Sequence, residues 1–171
     1  MENETINENE INNLYNNIKE LVEQSKNRVY KTVNTEMINL YWNIGQMIVE
    51  KQNGNTKAKY GDYLIEEISK KLTEYFGKGF SKKKLERMRK FYLYYPIATS
   101  IMSQLSWTHY LELIKIKEED KRNFYMKECV ESGWTVEELQ RQIGLLLYER
   151  LIISADKKNI GISIKKVYKE I

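Results

Sequence analysis

Between Lys78 and Lys90 the chain carries seven basic residues, Lys78, Lys82, Lys83, Lys84, Arg87, Arg89 and Lys90, against one acid, Glu86. That segment holds +6 while the whole chain is formally +4, so everything outside it sums to −2. Clustered cations of this kind suit an anionic partner, because Lys and Arg release the counterions condensed on a phosphate backbone. On a helical period Leu85, Met88, Tyr92 and Tyr95 share one face and are expected to be buried. Lys83, Arg87, Lys90 and Tyr94 share the opposite face, with Lys84 beside them. The pattern predicts a nucleic-acid contact in which Lys83, Lys84, Arg87 and Lys90 meet phosphates. Lys78 and Lys82 support it with charge, and Tyr94 with a ring on which a base can stack. Any one of these lysines reads more plainly as a solvated surface residue. The negative balance of the remaining chain tips the set toward binding.

Other chemistry is scarce. A metal site needs several converging His, Cys or carboxylate ligands, and the chain has one histidine, His109, and one cysteine, Cys129. No metal and no cofactor is therefore expected, and His109 reads as a structural residue. There is neither a G-x-x-x-x-G-K-[ST] phosphate loop nor a G-x-G-x-x-G fingerprint, and Gly77-Lys78-Gly79 follows no strand. Glu119-Asp120-Lys121 is an acid-x-Lys triplet, but it opens a helix instead of sitting on the paired strands that would hold Mg²⁺. Glu66–Glu67 and Glu137–Glu138 are sequence neighbours and diverge on a helix. No catalytic residue and no small-molecule substrate is expected. The chain reads as a binding module, not an enzyme.

Cys129 lies in FYMKECVESG on the apolar side of a helix, where a thiol packs as a small hydrophobe. A lone thiol fits a reducing compartment. MENETINENE is acidic instead of basic-then-apolar, so it does not read as a signal peptide. No apolar run approaches the roughly 20 residues that span a bilayer. A cytoplasmic protein without a membrane partner is expected.

The elements that must position the basic cluster are helices. One proline and eight glycines leave few breakers in 171 residues, and no segment alternates with period two. Ile11 to Val22 and Val33 to Ile48 each follow a helical face, as one long bent helix or two. KQNGNTKAKYG reads as a polar loop, and Leu64, Ile65, Ile68, Leu72 and Phe76 mark a short amphipathic helix. Gly77 is placed to end it and Ser81 to cap the next helix, which stops at Tyr95 because Pro96 disfavours helix in the preceding residue. Helix, glycine turn, helix is the outline of a helix-turn-helix. Further on, Ser106 is expected to cap one helix, KEEDKRNFYMKECVE forms a second, and Thr135 with Glu138 opens a third by a capping box. The fold class is all-α: a helical bundle containing a helix-turn-helix. Its expected organisation is an acidic disordered leader over 1–10, one helical domain over 11–153 with subdomains 11–96 and 97–153, and a basic tail over 154–171.

Three stretches together carry a family resemblance: LYWNIGQMIVEKQ, AKYGDYLIEEISKKLTEYFGKGFSKKKLERMRKFYLYYP, and LSWTHYLELIKIKEEDKRNFYMKECVESGWTVEELQRQIGLLLYERL. In this order they resemble the N-terminal domain of YhcG-type proteins, bacterial proteins of the PD-(D/E)XK nuclease superfamily. The last stretch also resembles the helix-turn-helix region of ParB-like partition proteins, which offers Ser106, Thr108 and His109 as a second contact surface. The resemblance implies a helical domain that precedes a separate nuclease domain. The chain ends in SADKKNIGISIKKVYKEI, which carries no catalytic signature, so the family's nuclease residues have no counterpart here. The expectation is a non-catalytic module, bacterial or phage, that binds nucleic acid, DNA before RNA, or recognises a target for a nuclease-associated protein of a defence system or mobile element. The alternative is a protein-interaction module, pairing as a homodimer, binding a nuclease or defence protein, or inhibiting a host defence complex.

Overall fold

The computed structural model describes residues 7–53, 58–97 and 104–154. Helix α1 runs Glu8–Asn53 and α2 runs Ala58–Phe76, followed by a 3₁₀ turn over Lys78–Phe80. Then come α3 (Lys82–Tyr94), α4 (Trp107–Leu113), α5 (Glu119–Ser132), α6 (Val136–Gly144) and α7, residues 147–154. Among the described residues there is no strand, and the fold is all-α.

The first two apolar runs belong to one helix of 46 residues. That helix starts at Glu8, so the end of the expected leader is helical; residues 1–6 lie outside the described residues, as do 54–57 of the polar loop and the tail from 155. The YERL region departs from a single helix. The chain breaks at Leu145 and Leu146, where Leu146 takes a left-handed φ of 52°. The buried Tyr125 hydroxyl spans that break: it donates to the Gln142 carbonyl at 3.3 Å and accepts from the Tyr148 N–H at 3.3 Å. One group is an orphan acceptor at the end of α6, the other an orphan donor at the start of α7, and a single hydroxyl satisfies both.

Two apolar clusters share one body. Ile48, Ile65, Leu85 and Met88 pack α1, α2 and α3 together. Ile38 from α1 and Phe91 and Tyr95 from α3 pack with Tyr110, Leu113, Tyr125, Cys129 and Leu139 from α4, α5 and α6. Trp107 lies against both clusters. The segments before and after Pro96 therefore share a core.

Helix α3 is buried on two sides, which corrects the expected face. Phe91 is fully buried, Tyr92 only half so. On one side α1 comes so close at Gly45 that an added Cβ would lie 2.9 Å from the Tyr92 Cβ. Tyr92 can only lie along α1, edge-on to Trp42 with centroids 5.0 Å apart. On the other side α4 takes Phe91, whose ring lies 4.6 Å from Tyr110 and 5.4 Å from Trp107. Trp42 Nε1 also donates to the Tyr95 carbonyl at 2.7 Å, which fastens the end of α3 to α1.

Candidate nucleic-acid interface

The entry to α3 is built by a short chain of local contacts. Gly77 adopts φ 80°, the left-handed region a glycine enters without steric cost, and its N–H bonds the Thr73 carbonyl at 2.9 Å to end α2. The turn swings back because buried Ser69 donates from its hydroxyl to the Phe80 carbonyl at 3.0 Å. Ser81 then stands at the N-cap of α3 in extended geometry, but its hydroxyl makes no cap hydrogen bond. Helix α3 follows with three lysines and no acid in its first turn. A helix N-terminus carries partial positive charge and open N–H groups, so cations there work against the dipole. Local stability alone would favour Asp or Glu at these positions.

The seven expected contact residues separate along the helix. Lys78, Lys83 and Lys84 are exposed, and none of them forms an ion pair among the described residues. Lys82 is half-buried and tied back to α2 by Glu66, at 3.5 Å. Arg87 is half-buried in the middle of the helix. Lys90 and Tyr94, at the far end, face the body: Lys90 Nζ lies 5.2 Å from the Tyr94 ring centre, and the Arg122 guanidinium lies over that ring at 4.0 Å. Tyr94 is half-buried and packs against the larger core. The structure thus gathers Lys78, Lys83 and Lys84 at the turn and the open end of α3, and draws Lys90 and Tyr94 toward α5.

Arg122 was not legible as a partner of this helix. It is 3% exposed and forms no ion pair among the described residues; its Nη1 donates to the Ile116 and Lys117 carbonyls, both at 3.2 Å. Its cation is stabilised by those carbonyls and by the Tyr94 and Tyr95 rings, the latter at 5.6 Å. Burial pushes the Tyr95 hydroxyl well above the usual tyrosine range, and nearby Arg122 pulls weakly the other way. The Tyr110 hydroxyl is raised for the same reason, so both stay protonated. The only sequence signal for Arg122 is an arginine on the core-facing side of α5, which looks like any solvated charge until α3 is in place.

The remaining chemistry-bearing residues have structural tasks. Ser106 and His109 form a capping box at α4: the His109 N–H reaches Ser106 Oγ at 3.5 Å, and the Ser106 N–H donates to His109 Nδ1 at 3.3 Å. Nδ1 is thereby an acceptor, so Nε2 carries the hydrogen donated to the Trp134 carbonyl at 2.9 Å. Both ring nitrogens are engaged, and of the ParB-like trio Thr108 alone is exposed. Thr135 and Glu138 form the expected capping box of α6. Cys129 is buried, and burial pushes its thiol up to about 11, which leaves it protonated at neutral pH. Among the described residues no group of three or more His, Cys, Asp or Glu is placed to hold a metal. No described helix is long and apolar enough to cross a membrane.

These features define a helical domain with an electropositive helix end. Comparison with known proteins places it further. Residues 17–150 match the DUF1016 N-terminal domain, and the chain belongs to that family. It is 32% identical over 177 aligned positions to a protein of Escherichia coli (strain K12) named "Putative nuclease YhcG". The alignment covers 84% of this chain but 47% of the relative, so the chain spans about half of that protein's length. No solved structure matches the chain.

Proposed function

We propose that this domain is a non-catalytic nucleic-acid-binding module, DNA before RNA, that works in the cytoplasm beside a nuclease of a bacterial or phage defence system. The observation that carries it is the end of α3: Lys78, Lys83 and Lys84 are exposed, without ion pairs among the described residues, around a helix N-terminus whose Ser81 hydroxyl makes no cap hydrogen bond. Helix N–H groups, the dipole and the lysine ammoniums all favour a phosphate at the same place. Three adjacent lysines set against the dipole lower the stability of the helix they begin, which suits a surface kept for an anion. Contact is end-on, through the first turn, with Arg87 next along the helix and Lys82 in support, while Lys90 and Tyr94 brace the far end of α3 against the body.

The test is a binding titration with duplex DNA and single-stranded RNA across a salt series. Affinity is expected to fall steeply with salt, and charge reversal at Lys83, Lys84 and Arg87 to abolish it while the circular dichroism stays helical. Unchanged affinity in the triple variant would sink this reading. The rival reading, a protein-interaction module, is favoured by a different surface, the free half of α1.

A further inference from the structure

We propose that residues 8–33 of α1 pair side by side and antiparallel with the same segment of a second copy of this chain. Among the described residues this half of the helix has no packing partner within the molecule: from Glu8 to Val33 every residue is exposed except Ser25. The first side chain that reaches the body is Asn34, whose Nδ2 donates to the Leu105 carbonyl at 2.9 Å. At 1.5 Å per residue the free segment projects roughly 40 Å.

Such a helix has little reason to persist alone. It contains Asn9, Asn12, Asn13, Asn16, Asn17 and Asn27, all poor helix formers, and isolated helices are marginal in water. Yet it carries an apolar stripe. Ile11, Leu14, Ile18 and Leu21 recur at three- and four-residue intervals, Val22 and Val29 continue the stripe on either side of Ser25, and the six apolar residues are 45–62% exposed. Tyr15, Tyr30 and Val33 add further apolar surface in the same segment, 52–72% exposed, where a standard specific interface buries roughly 800 Å² per partner. Ser25 sits within the stripe and leaves a hollow lined by Leu21, Val22 and Val29, the kind of hole into which a facing side chain packs.

Charge selects the occupant and its direction. Residues 8–23 contain Glu8, Glu10, Glu20 and Glu23 against Lys19, a balance of −3. Residues 24–33 contain Lys26, Arg28 and Lys31 with no acid, a balance of +3. Glu8 and Glu10 border the stripe at one end, and Lys26 and Arg28 border it at the other. Two copies laid antiparallel bring the acidic end of each against the basic end of its partner. A parallel pair would set like against like at both ends. The segment is complementary to itself in one orientation only.

Sedimentation or light scattering of the full chain at tens of micromolar is expected to give twice the monomer mass. The double variant Leu14→Glu, Leu21→Glu should give the monomer, with tryptophan fluorescence unchanged because Trp42, Trp107 and Trp134 all lie in the body. Direction is read by oxidation. Leu21→Cys, near the middle of the stripe, should cross-link to itself, and Ile11→Cys should cross-link to Val29→Cys in a mixture but not to itself. Buried Cys129 does not compete. A monomer at these concentrations overturns the proposal and leaves the stripe to another protein. Self-cross-linking of Ile11→Cys as fast as that of Leu21→Cys overturns the antiparallel arrangement. Neither readout involves nucleic acid, so failure here and failure of the proposed function are separate results.

Discussion

A methyl group placed on Gly45 would lie 2.2 Å from the carbonyl oxygen of Met88 and 2.9 Å from its carbonyl carbon. Both neighbours are backbone atoms in the middle of α3, so no side chain can swing aside to make room. Helices α1 and α3 touch main chain to main chain there, and Trp42 and Tyr95 close the same seam nearer the end of α3. Gly45→Ala should therefore destabilise the domain although alanine is the better helix former. The ordinary helix gain is about 1 kcal/mol, and forcing the helices apart costs about 1–3 kcal/mol or more. Because the clash is with backbone, the net loss should be near 2 kcal/mol, read as a fall of roughly 5 °C in Tm. A variant as stable as the parent would show that α3 does not sit this close to α1.

How much of this was legible in the sequence differs by element. The caps were: Ser106, Thr135 with Glu138, and the stop before Pro96 act over three or four residues, and local sequence specifies them. The buried Cys129 and the structural His109 were legible because each lacked partners for chemistry. The α3 face was legible only in outline. A single helical wheel assumes one buried side, and α3 has two, with α1 taking Tyr92 and α4 taking Phe91. Contacts distant in sequence decide that, and so they also decide which cations of the candidate site are open. The break at Leu146 had no local signal, since leucine rarely adopts positive φ; a hydroxyl from α5 supports it.

That hydroxyl can be tested by removing one atom. Tyr125→Phe keeps the buried ring and leaves the Gln142 carbonyl and the Tyr148 N–H without their shared partner. Both bonds are long at 3.3 Å, so the expected cost is about 1 kcal/mol, the low end for an unsatisfied buried pair. The effect should be local. Amide exchange at Tyr148 and through α7 should quicken more than in α1 or α3. Uniform quickening would mean that the hydroxyl supports the whole core and not the joint.

Alkaline pH should weaken the fold through Cys129. Its thiol is raised from 9.0 to about 11, first by burial and secondarily by Glu128. The folded state thus holds the proton that the unfolded state gives up near pH 9. The stabilisation is complete below that pH and is lost as pH climbs from 9 to about 11. Cys129→Ala should flatten the stability profile between pH 9 and 10, whatever it costs at neutral pH by leaving a small cavity. Tyr95 and Tyr110, which burial raises in the same sense, add slope at higher pH, as do Lys70 and Lys121, raised by their hydrogen bonds to Glu67 and Glu149. A disulfide-exchange reagent should label the native thiol far more slowly than the denatured one; equal rates would contradict the burial.

The proposed phosphate contact predicts a graded response along α3. If the end of the helix meets the backbone of a duplex, alanine at Lys78, Lys83 or Lys84 should each lower the salt slope of binding by about 1, since each removes one phosphate neutralised. Lys82→Ala should do less, because Glu66 already offsets part of that charge. Lys90→Ala and Tyr94→Ala should leave the slope nearly unchanged. Tyr94→Ala should instead lower Tm by removing the ring under the Arg122 guanidinium, a cation that forms no ion pair among the described residues. The measurement is the set of salt slopes beside the set of melting temperatures. A slope lost equally at Lys83 and Lys90 would mean that the whole face meets nucleic acid and would rule out the end-on contact.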